Sequence, residues 1–269
     1  MTTISIVTIS FNQAEFLERT ILSVLEQDYP SIEYIVVDPG STDGSRDVIE
    51  RYRSRISKII LEPDNGAPDG LNHGFAHATG EILGFLNSDD VLMPGAISSA
   101  MRYLDEHKDV DVISGHGDLI GPDDRFLRHL YSDRMSATKF IYNGAIIIQP
   151  STFFRRSIFD RTPGFNANNR MNFDGELFLE MALAGAKFSV TNQVWSGYRI
   201  HSQSITGNQS SLQKIQAARA EMFKLATGRQ PNQGDRVLTY GFRVLRHILN
   251  PMGTWERIVR GPSFGRKVD

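Results

Sequence analysis

The first 115 residues alternate short apolar runs with segments of helical periodicity. The runs are rich in β-branched residues, which is typical of buried strands, and cover residues 4–10, 34–37, 58–61, 81–86 and 111–114. The segments between them predict helices over about 13–25, 45–55, 69–78 and 94–107. Asn12 and Glu15 predict a capping box at the start of the first helix. This alternation predicts an α/β fold, with a Rossmann-like, mostly parallel sheet flanked by helices.

The pattern changes after about residue 115. Residues 121–124 predict a hairpin turn between two strands, over 118–120 and 125–130. Further elements are then predicted in order: a helix over 174–184, a strand over 187–191, a polar stretch over 198–211 and a helix over 212–226.

Polar side chains follow four of the predicted strands. Asn12 follows the first, Asp38 the second, residues 64–66 the third, and Asp89 and Asp90 lie just beyond the fourth. Ligands bind beyond the carboxyl ends of strands in open α/β sheets, so these side chains should converge. Two adjacent carboxylates are costly unless a cation lies beside them, and a divalent metal would meet that need. The same residues also suit a solvated turn.

The segment after the first strand bears on the cofactor. A nicotinamide dinucleotide needs a G-x-G-x-x-G loop there, but this chain has Ser10, Phe11, Asn12 and Gln13. We therefore expect no such cofactor. Asp38, directly after the second strand, could accept hydrogen bonds from a ribose or a base.

Composition narrows the function classes further. The chain has 269 residues, a formal net charge of -2 and no cysteine, which excludes a thiol nucleophile, a cysteine zinc site and disulfides. The balanced charge gives no reason to expect nucleic acid as a partner. The N-terminus lacks a leader pattern and no segment has the roughly 20 apolar residues of a membrane span, so we expect a cytoplasmic protein.

The C-terminal tail is the one region in which charge is unevenly distributed. From Gly234 onward basic residues outnumber acidic ones and alternate with apolar positions; the bases are Arg236, Arg243, Arg246, Arg257, Arg260, Arg266 and Lys267. A basic amphipathic helix of this kind can lie in the headgroup plane of an anionic membrane, here its inner face. Alternatively, it packs on the domain with its basic face in water.

Eight motifs taken together resemble family 2 glycosyltransferases of the GT-A fold. They are SIVTISFN (5–12), VDPGSTDG (37–44), EPDNG (62–66), DGLNHG (69–74), ATGEI (78–82), NSDD (87–90), QPSTFFRR (149–156) and FDGEL (173–177). The likeness covers about the first 200 residues. It implies a GT-A catalytic domain over 1–210, with a nucleotide-binding half over about 1–115 and an acceptor half over about 116–210, and then a helical tail over 211–269.

The resemblance implies an inverting enzyme that moves a sugar from a nucleotide-sugar donor (a UDP-, GDP- or dTDP-sugar) to a glycan or lipid-linked acceptor. It makes Asp174 the catalytic base and Asp90 the ligand of a divalent metal, Mn²⁺ or Mg²⁺. The residues that it implies for nucleotide and donor binding are Ile9, Phe11, Asp38, Asp69, Asn72, Asp89 and His201. The natural setting is the assembly of surface polysaccharide or glycolipid.

The sequence departs from the family at a few positions and leaves other functions open. Phe11 replaces a common tyrosine and Pro39 a common aspartate, which changes what can contact the donor. A nucleotidyltransferase would share the sheet and the carboxylates, but would need a basic glycine-rich loop after the first strand. A catalytically silent sugar-nucleotide binding module is the other alternative. Asp174 could also be a helix N-terminal carboxylate that only favours the helix dipole.

Overall fold

The computed structural model describes residues 1–202, 204 and 212–261, and these form one mixed sheet with helices around it. The strands are β1 (Ile4–Ile9), β2 (Ile32–Val37), β3 (Lys58–Ile60), β4 (Ile82–Asn87), β5 (Val91–Leu92), β6 (Val112–Ile120), β7 (Phe126–Leu130), β8 (Thr152–Arg155) and β9 (Phe188–Arg199). The α-helices are α1 (Ala14–Leu25), α2 (Ser45–Arg51), α3 (Ala67–His77), α4 (Ala96–Glu106), α5 (Ala137–Ile141), α6 (Arg156–Phe159), α7 (Phe173–Leu183), α8 (Leu212–Thr227), α9 (Gln233–Leu249) and α10 (Pro251–Arg260). Short 3₁₀ turns occupy Arg53–Arg55 and Gln149–Ser151.

The sheet has the strand order β3-β2-β1-β4-β8-β6-β9-β5, with β7 paired to β6. The first four strands are parallel neighbours, and β6 and β9 are also parallel. Antiparallel pairing enters through β8, β7 and β5. The predicted α/β fold with C-terminal helices is confirmed, and all four N-terminal parallel strands end at one edge.

The core lies on both faces of the sheet, as a doubly covered sheet requires. Alternate residues of β1 point in opposite directions: Ile4 and Ile6 join the cluster with α1, α2 and α4, whereas Val7 joins the cluster with α3 and α7. Trp195 fills the first cluster, where a Cβ on Gly115 would lie 2.5 Å from its ring. The glycine therefore lets the indole pack against β6.

Two strands are longer than the sequence pattern predicted. The strand predicted over 111–114 is the start of β6, which continues into the hairpin as far as Ile120. The strand predicted over 187–191 extends to Arg199. The two strands pair in parallel along almost their whole lengths. Hydrogen bonds between their backbones therefore stabilise the extended conformation in segments whose polar side chains did not predict a strand.

The predicted capping box at α1 is wrong. The helix begins at Ala14, and the side chain of its N-cap Gln13 makes no capping hydrogen bond. Asp43 Oδ2, from the loop after β2, instead accepts a hydrogen bond from Ala14 N at 2.9 Å. Asn12 has a positive φ of 53°, and its Oδ1 accepts a hydrogen bond from Thr42 N at 2.9 Å. The Asn12 side chain thus joins the loops after β1 and β2 instead of closing the helix end.

The C-terminal helices pack on the second half of the sheet. The Phe242 ring of α9 stacks on Tyr142 with centroids 5.4 Å apart, and the Tyr142 hydroxyl donates to Asp235 Oδ1 at 2.9 Å. Asn250 Nδ2 donates to Asp133 Oδ1 at 2.8 Å. Across the described ranges, no helix combines the length and apolar character that crossing a membrane requires. Part of the predicted polar stretch, and the tail bases Arg266 and Lys267, lie outside the described residues.

Candidate active site

The loops after β1 and β2 form the first part of the site. Ile9 and Val37 are register partners at the ends of the two strands, so Phe11 and Asp38 follow at the same edge. Asp38 Oδ1 accepts hydrogen bonds from Gly40 N at 3.1 Å and Ser41 N at 2.8 Å. Arg46 Nε also donates to this oxygen, at 3.1 Å.

These contacts leave one acceptor available at Asp38. Its carboxylate is fully buried, yet Oδ2 has no hydrogen-bond partner in the described structure. A buried acceptor without a partner is costly, so a ligand that donates to it is stabilised there. Ile9 is half-buried, whereas Phe11 is 59% exposed and presents an aromatic face to solvent.

Two further predicted donor residues lie on α3, where their side chains already have partners. Asp69 accepts hydrogen bonds from the backbone N and the side-chain Nδ2 of Asn65, at 2.9 and 3.0 Å, which lowers the pKa of Asp69. Asn72 Nδ2 donates to Phe165 O at 2.7 Å, and its Oδ1 accepts from Phe165 N at 2.9 Å. Asn72 therefore fastens the loop around Phe165 to α3, and its role toward the donor stays a prediction.

The two aspartates beyond β4 have different environments. Asp90 is 1% exposed, its Oδ1 accepts from Arg199 N at 2.8 Å, and its Oδ2 has no described partner. Burial, followed by the charge of Asp89, raises the pKa of Asp90 well above its usual value. Asp89 is more open, and its Oδ2 lies 3.2 Å from His201 Nε2. The contacts of this turn thus make Asp89, and not Asp90, the accessible carboxylate.

Arg199, which the sequence analysis did not single out, holds the turn in place. It is buried at the end of β9, and its Nε donates to Asp89 O at 2.7 Å while its Nη1 lies 2.6 Å from Asp124 Oδ1. Its guanidinium also lies 5.2 Å from the centre of the Phe16 ring. An arginine inside a polar stretch is usually exposed, so the sequence gave no reason to expect a buried one here. Its position two residues before His201 was the one signal that could have pointed to it.

Asp174 lies on a separate stretch of chain and opens into a cavity of about 590 Å³. It is the second residue of α7, is half-buried, and burial raises the pKa of its carboxyl group. The same cavity is lined by Asn87, the first residue of the acidic turn, and by Gln149. Gln149 Nε2 donates to Phe85 O at 2.7 Å, which fixes it against β4. Asn87 therefore links the cavity of Asp174 to the turn that carries Asp89.

The described residues provide part of a possible metal site. Within residues 1–202, 204 and 212–261, no group of three or more His, Cys, Asp or Glu side chains could hold a metal ion. Asp89 and His201 nevertheless offer a carboxylate oxygen and a ring nitrogen 3.2 Å apart. Hard divalent ions are often held by one or two protein groups together with phosphate oxygens of the substrate. A donor diphosphate would complete such a set.

Residues 5–162 match the family model described as Glycosyl transferase family 2. The chain belongs to that family. It is 29% identical to an uncharacterized glycosyltransferase of Nostoc sp., over 90% of this chain and 78% of the relative. It is 35% identical to the putative teichuronic acid biosynthesis glycosyltransferase TuaG of Bacillus subtilis, over 38% of this chain and 42% of TuaG. The enzyme class predicted from the sequence, a glycosyltransferase, is confirmed.

Two solved structures share the fold. S. aureus TarS 1–349 in complex with UDP matches 96% of this chain and 73% of its own, with a TM-score of 0.65 at 17% identity. The mannosyltransferase PcManGT of Pyrobaculum calidifontis in complex with GDP-Man and Mn²⁺ matches 96% and 74%, with a TM-score of 0.64 at 19% identity. At these identities the likeness shows the GT-A fold alone.

Proposed function

We propose that this family 2 glycosyltransferase moves a sugar from a nucleoside-diphosphate sugar to an acceptor hydroxyl with inversion, in the assembly of a surface polysaccharide or glycolipid. The observation that carries the proposal is Asp174, a carboxylate of raised pKa in a cavity that reaches the acidic turn through Asn87. A base with a raised pKa is better matched to proton transfer near neutral pH than an ordinary aspartate. The helix-dipole alternative does not explain why Asp174 opens into a cavity.

The proposed donor site is formed by the loops after β1 and β2. Asp38 Oδ2 is a buried acceptor suited to a ribose or base, and the exposed Phe11 ring can stack on the base. The UDP of the TarS complex and the GDP-Man of the PcManGT complex support a nucleotide-sugar donor of this kind. Those ligands differ in their base, so the donor of this chain is left among UDP-, GDP- and dTDP-sugars.

The metal would be held by Asp89 and His201 together with the donor diphosphate. The contacts favour this assignment over Asp90, because one Asp90 oxygen already accepts Arg199 N and the carboxylate is almost fully buried. When bound, Mn²⁺ or Mg²⁺ would stabilise the negative charge that develops on the leaving diphosphate. Asp90 would position the turn through Arg199.

The carboxylates of the cavity support an inverting mechanism. Among the described residues only Asp133 and Asp174 contribute carboxylates to its lining. Asp133 accepts hydrogen bonds from Ile146 N at 3.0 Å and Asn250 Nδ2 at 2.8 Å, so it has a structural role. Asp174 is then the one carboxylate free to take the proton of the acceptor hydroxyl as it attacks the anomeric carbon. A single displacement without an enzyme nucleophile inverts that carbon.

The exposed side chains of the tail support a membrane setting and a lipid-linked acceptor. In α9 an apolar row recurs every three or four residues and is exposed: Val237, Tyr240, Val244 and Ile248. In α10 a similar exposed row consists of Met252, Trp255, Ile258 and Val259. Arg236, Arg243 and Arg260 are exposed on the same two helices. Exposed apolar rows with basic flanks suit the headgroup region of an anionic membrane, at the inner face if the enzyme is cytoplasmic.

The function is tested with a panel of UDP-, GDP- and dTDP-sugars, measured by thermal shift with Mn²⁺, with Mg²⁺ and with EDTA. One base and sugar should raise the melting temperature most, through binding linkage, and should release nucleoside diphosphate when acceptor is present. Asp89→Asn and His201→Asn should lose the metal dependence, while Asp105→Asn, an exposed control on α4, should keep it. A protein that binds no nucleotide sugar would contradict the proposal. Binding without any release of nucleoside diphosphate would favour the silent binding module.

The membrane setting has its own measurement. Wild-type protein should float with vesicles that contain anionic lipid, and should float less at high salt. Ile248→Ser together with Ile258→Ser should weaken flotation, because both side chains are exposed and contribute little to folding. Equal flotation of the wild type and this variant would contradict the assignment of the tail to the membrane.

A further inference from the structure

The cavity that contains Asp174 is strongly basic on its other walls. Its lining includes four arginines, namely Arg128 of β7, Arg219 of α8, Arg246 of α9 and Arg257 of α10. The carboxylates in the lining are Asp133 and Asp174. The four guanidinium groups come from four different elements, so the fold has to bring them together. Positive charge in such excess around one cavity is unfavourable unless an anion occupies it.

The structure shows this electrostatic cost at individual groups. Burial lowers the pKa of Arg246, and the charges of Arg257 and Arg243 lower it further, although Asp133 acts in the opposite direction. Burial and the charge of Arg243 also lower the pKa of Arg219. The Asp133 carboxylate lies 3.9 Å from Arg246 Nε, which is a weak compensation. An anion in the cavity would relieve both the burial and the mutual repulsion.

The anion that fits is not the donor diphosphate. The lining of this cavity includes neither Asp38, Phe11, Asp89 nor His201, the residues assigned to the donor nucleotide and the metal. Among the described residues, Asn87 is the point where the cavity meets the acidic turn, and the cavity lies on the side of Asp174, where the proposed mechanism places the acceptor hydroxyl. The basic walls therefore belong to the acceptor end of the site.

We propose that this cavity is an acceptor subsite that binds a phosphate group of the acceptor through Arg219, Arg246 and Arg257. The inference rests on the proposed function, because it takes the hydroxyl facing Asp174 to be the acceptor's. Phosphate matches the arginines better than a single carboxylate does, since it offers more oxygens and more charge to several guanidinium forks. A cavity of about 590 Å³ has room for a phosphate or diphosphate and the sugar attached to it.

The position of the arginines also agrees with the tail. Arg246 and Arg257 lie on α9 and α10, the two helices that carry the exposed apolar rows. A phosphate at the headgroup level of a membrane would thus be close to both. The same chemistry is present in a soluble phosphorylated acceptor, so the experiment has to separate the two sources.

The test uses Arg219→Gln with Arg257→Gln in the full chain. Neither side chain makes a hydrogen bond or ion pair with another described residue, so the double variant should fold. The control is Arg102→Gln with Lys58→Gln, which removes the same charge from exposed positions outside the cavity. Thermal unfolding of all proteins establishes that they are folded.

Binding is measured by calorimetry in EDTA with two probes. One is phenyl phosphate in solution, and the other is farnesyl phosphate in phosphatidylcholine vesicles, with farnesol vesicles as the neutral comparison. Hydrogen bonds to charged groups are strong enough that the double variant should bind phosphate about 10- to 100-fold more weakly than the wild type. The control variant should match the wild type. The probe that shows this dependence identifies the source as a soluble or a lipid phosphate.

The inference is overturned if wild type and the double variant bind both probes equally, or if the control loses as much affinity. Binding of UDP, GDP and dTDP is measured in parallel on each protein. Loss of phosphate binding with nucleotide binding retained supports the subsite. Absence of nucleotide binding in the wild type counts against the proposed function, and the phosphate titration still reports on the cavity.

Discussion

Asp174→Asn is the substitution that separates a catalytic from a structural role most clearly. Asparagine has the same shape but cannot take a proton, and Asp174 opens into the cavity from the first turn of α7. If Asp174 is the general base, transfer should fall by about 10²- to 10⁴-fold. Donor binding should be unchanged, because Asp174 does not belong to the loops after β1 and β2. The assay is release of nucleoside diphosphate under saturating donor.

The structural alternative predicts a different result. A carboxylate in the first turn of a helix contributes about 0.3–1 kcal/mol through the helix dipole, so Asp174→Asn would lower stability slightly and leave transfer intact. Glu176→Gln is the matched control, since Glu176 lies in the same turn and accepts from Asn166 Nδ2 at 2.9 Å. Glu176→Gln should retain transfer. Wild-type transfer by Asp174→Asn would refute the assignment of Asp174 as the base.

The pH dependence gives a second measurement on the same residue. Burial raises the pKa of Asp174 above the ordinary value of 3.8, so transfer should rise with pH through an inflection above that value. The folded state then binds this proton more tightly than the unfolded state. The resulting stabilisation is present below pH 3.8 and is lost as the pH rises through the folded pKa. Asp174→Asn should abolish both dependences, and an unchanged pH inflection in the variant would contradict the reasoning.

Two predictions concern packing and the donor. Gly74→Ala should destabilise by about 1–3 kcal/mol in urea unfolding, since a Cβ there would lie 2.4 Å from Val7 Cγ1. Gly241→Ala, with nothing within 4 Å, should instead stabilise by about 0.5–1 kcal/mol, and equal effects of the two would show that the α3–β1 contact is not tight. Phe11→Ala should weaken nucleotide binding by about 1–3 kcal/mol in calorimetry without lowering the melting temperature, because the ring is 59% exposed. Unchanged nucleotide affinity would remove Phe11 from the donor site.

The positions of the residues proposed for the donor were predictable, because they depend on where each strand ends. A carboxylate directly after a buried parallel strand lies at the ligand edge of the sheet, which placed Asp38 and the acidic turn correctly at strand ends. The different environments of Asp89 and Asp90 were not predictable. They depend on Arg199 N reaching Asp90 across a sheet contact 109 residues away in sequence. No periodicity in the sequence encodes that pairing.

The packing of the C-terminal helices was also not predictable from the sequence. The sequence predicted the helices of the tail and their basic and apolar positions, but not which of them face the domain. The contact of Asp235 and Phe242 with Tyr142 orients α9, and it brings Arg246 to the cavity while Ile248 faces solvent. The sequence could not predict that Arg246 lies at the cavity while Arg236, Arg243 and Arg260 and the two apolar rows are exposed. Docking, and not amphipathicity alone, decides what the tail can bind.

The family match covers only part of the proposed site. The family match ends at residue 162, whereas Arg219, Arg246 and Arg257 all come later in the chain. The loops and the acidic turn that we propose to hold the donor lie inside the matched range. The walls of the proposed acceptor cavity come from both sides of this boundary: Arg128 and Asp133 lie inside the matched range, whereas Asp174 and the three later arginines lie beyond it. Helices α8–α10 contribute side chains to this cavity, whereas the loops after β1 and β2 do not line it. We therefore expect changes in α8–α10 to alter acceptor specificity without changing donor binding.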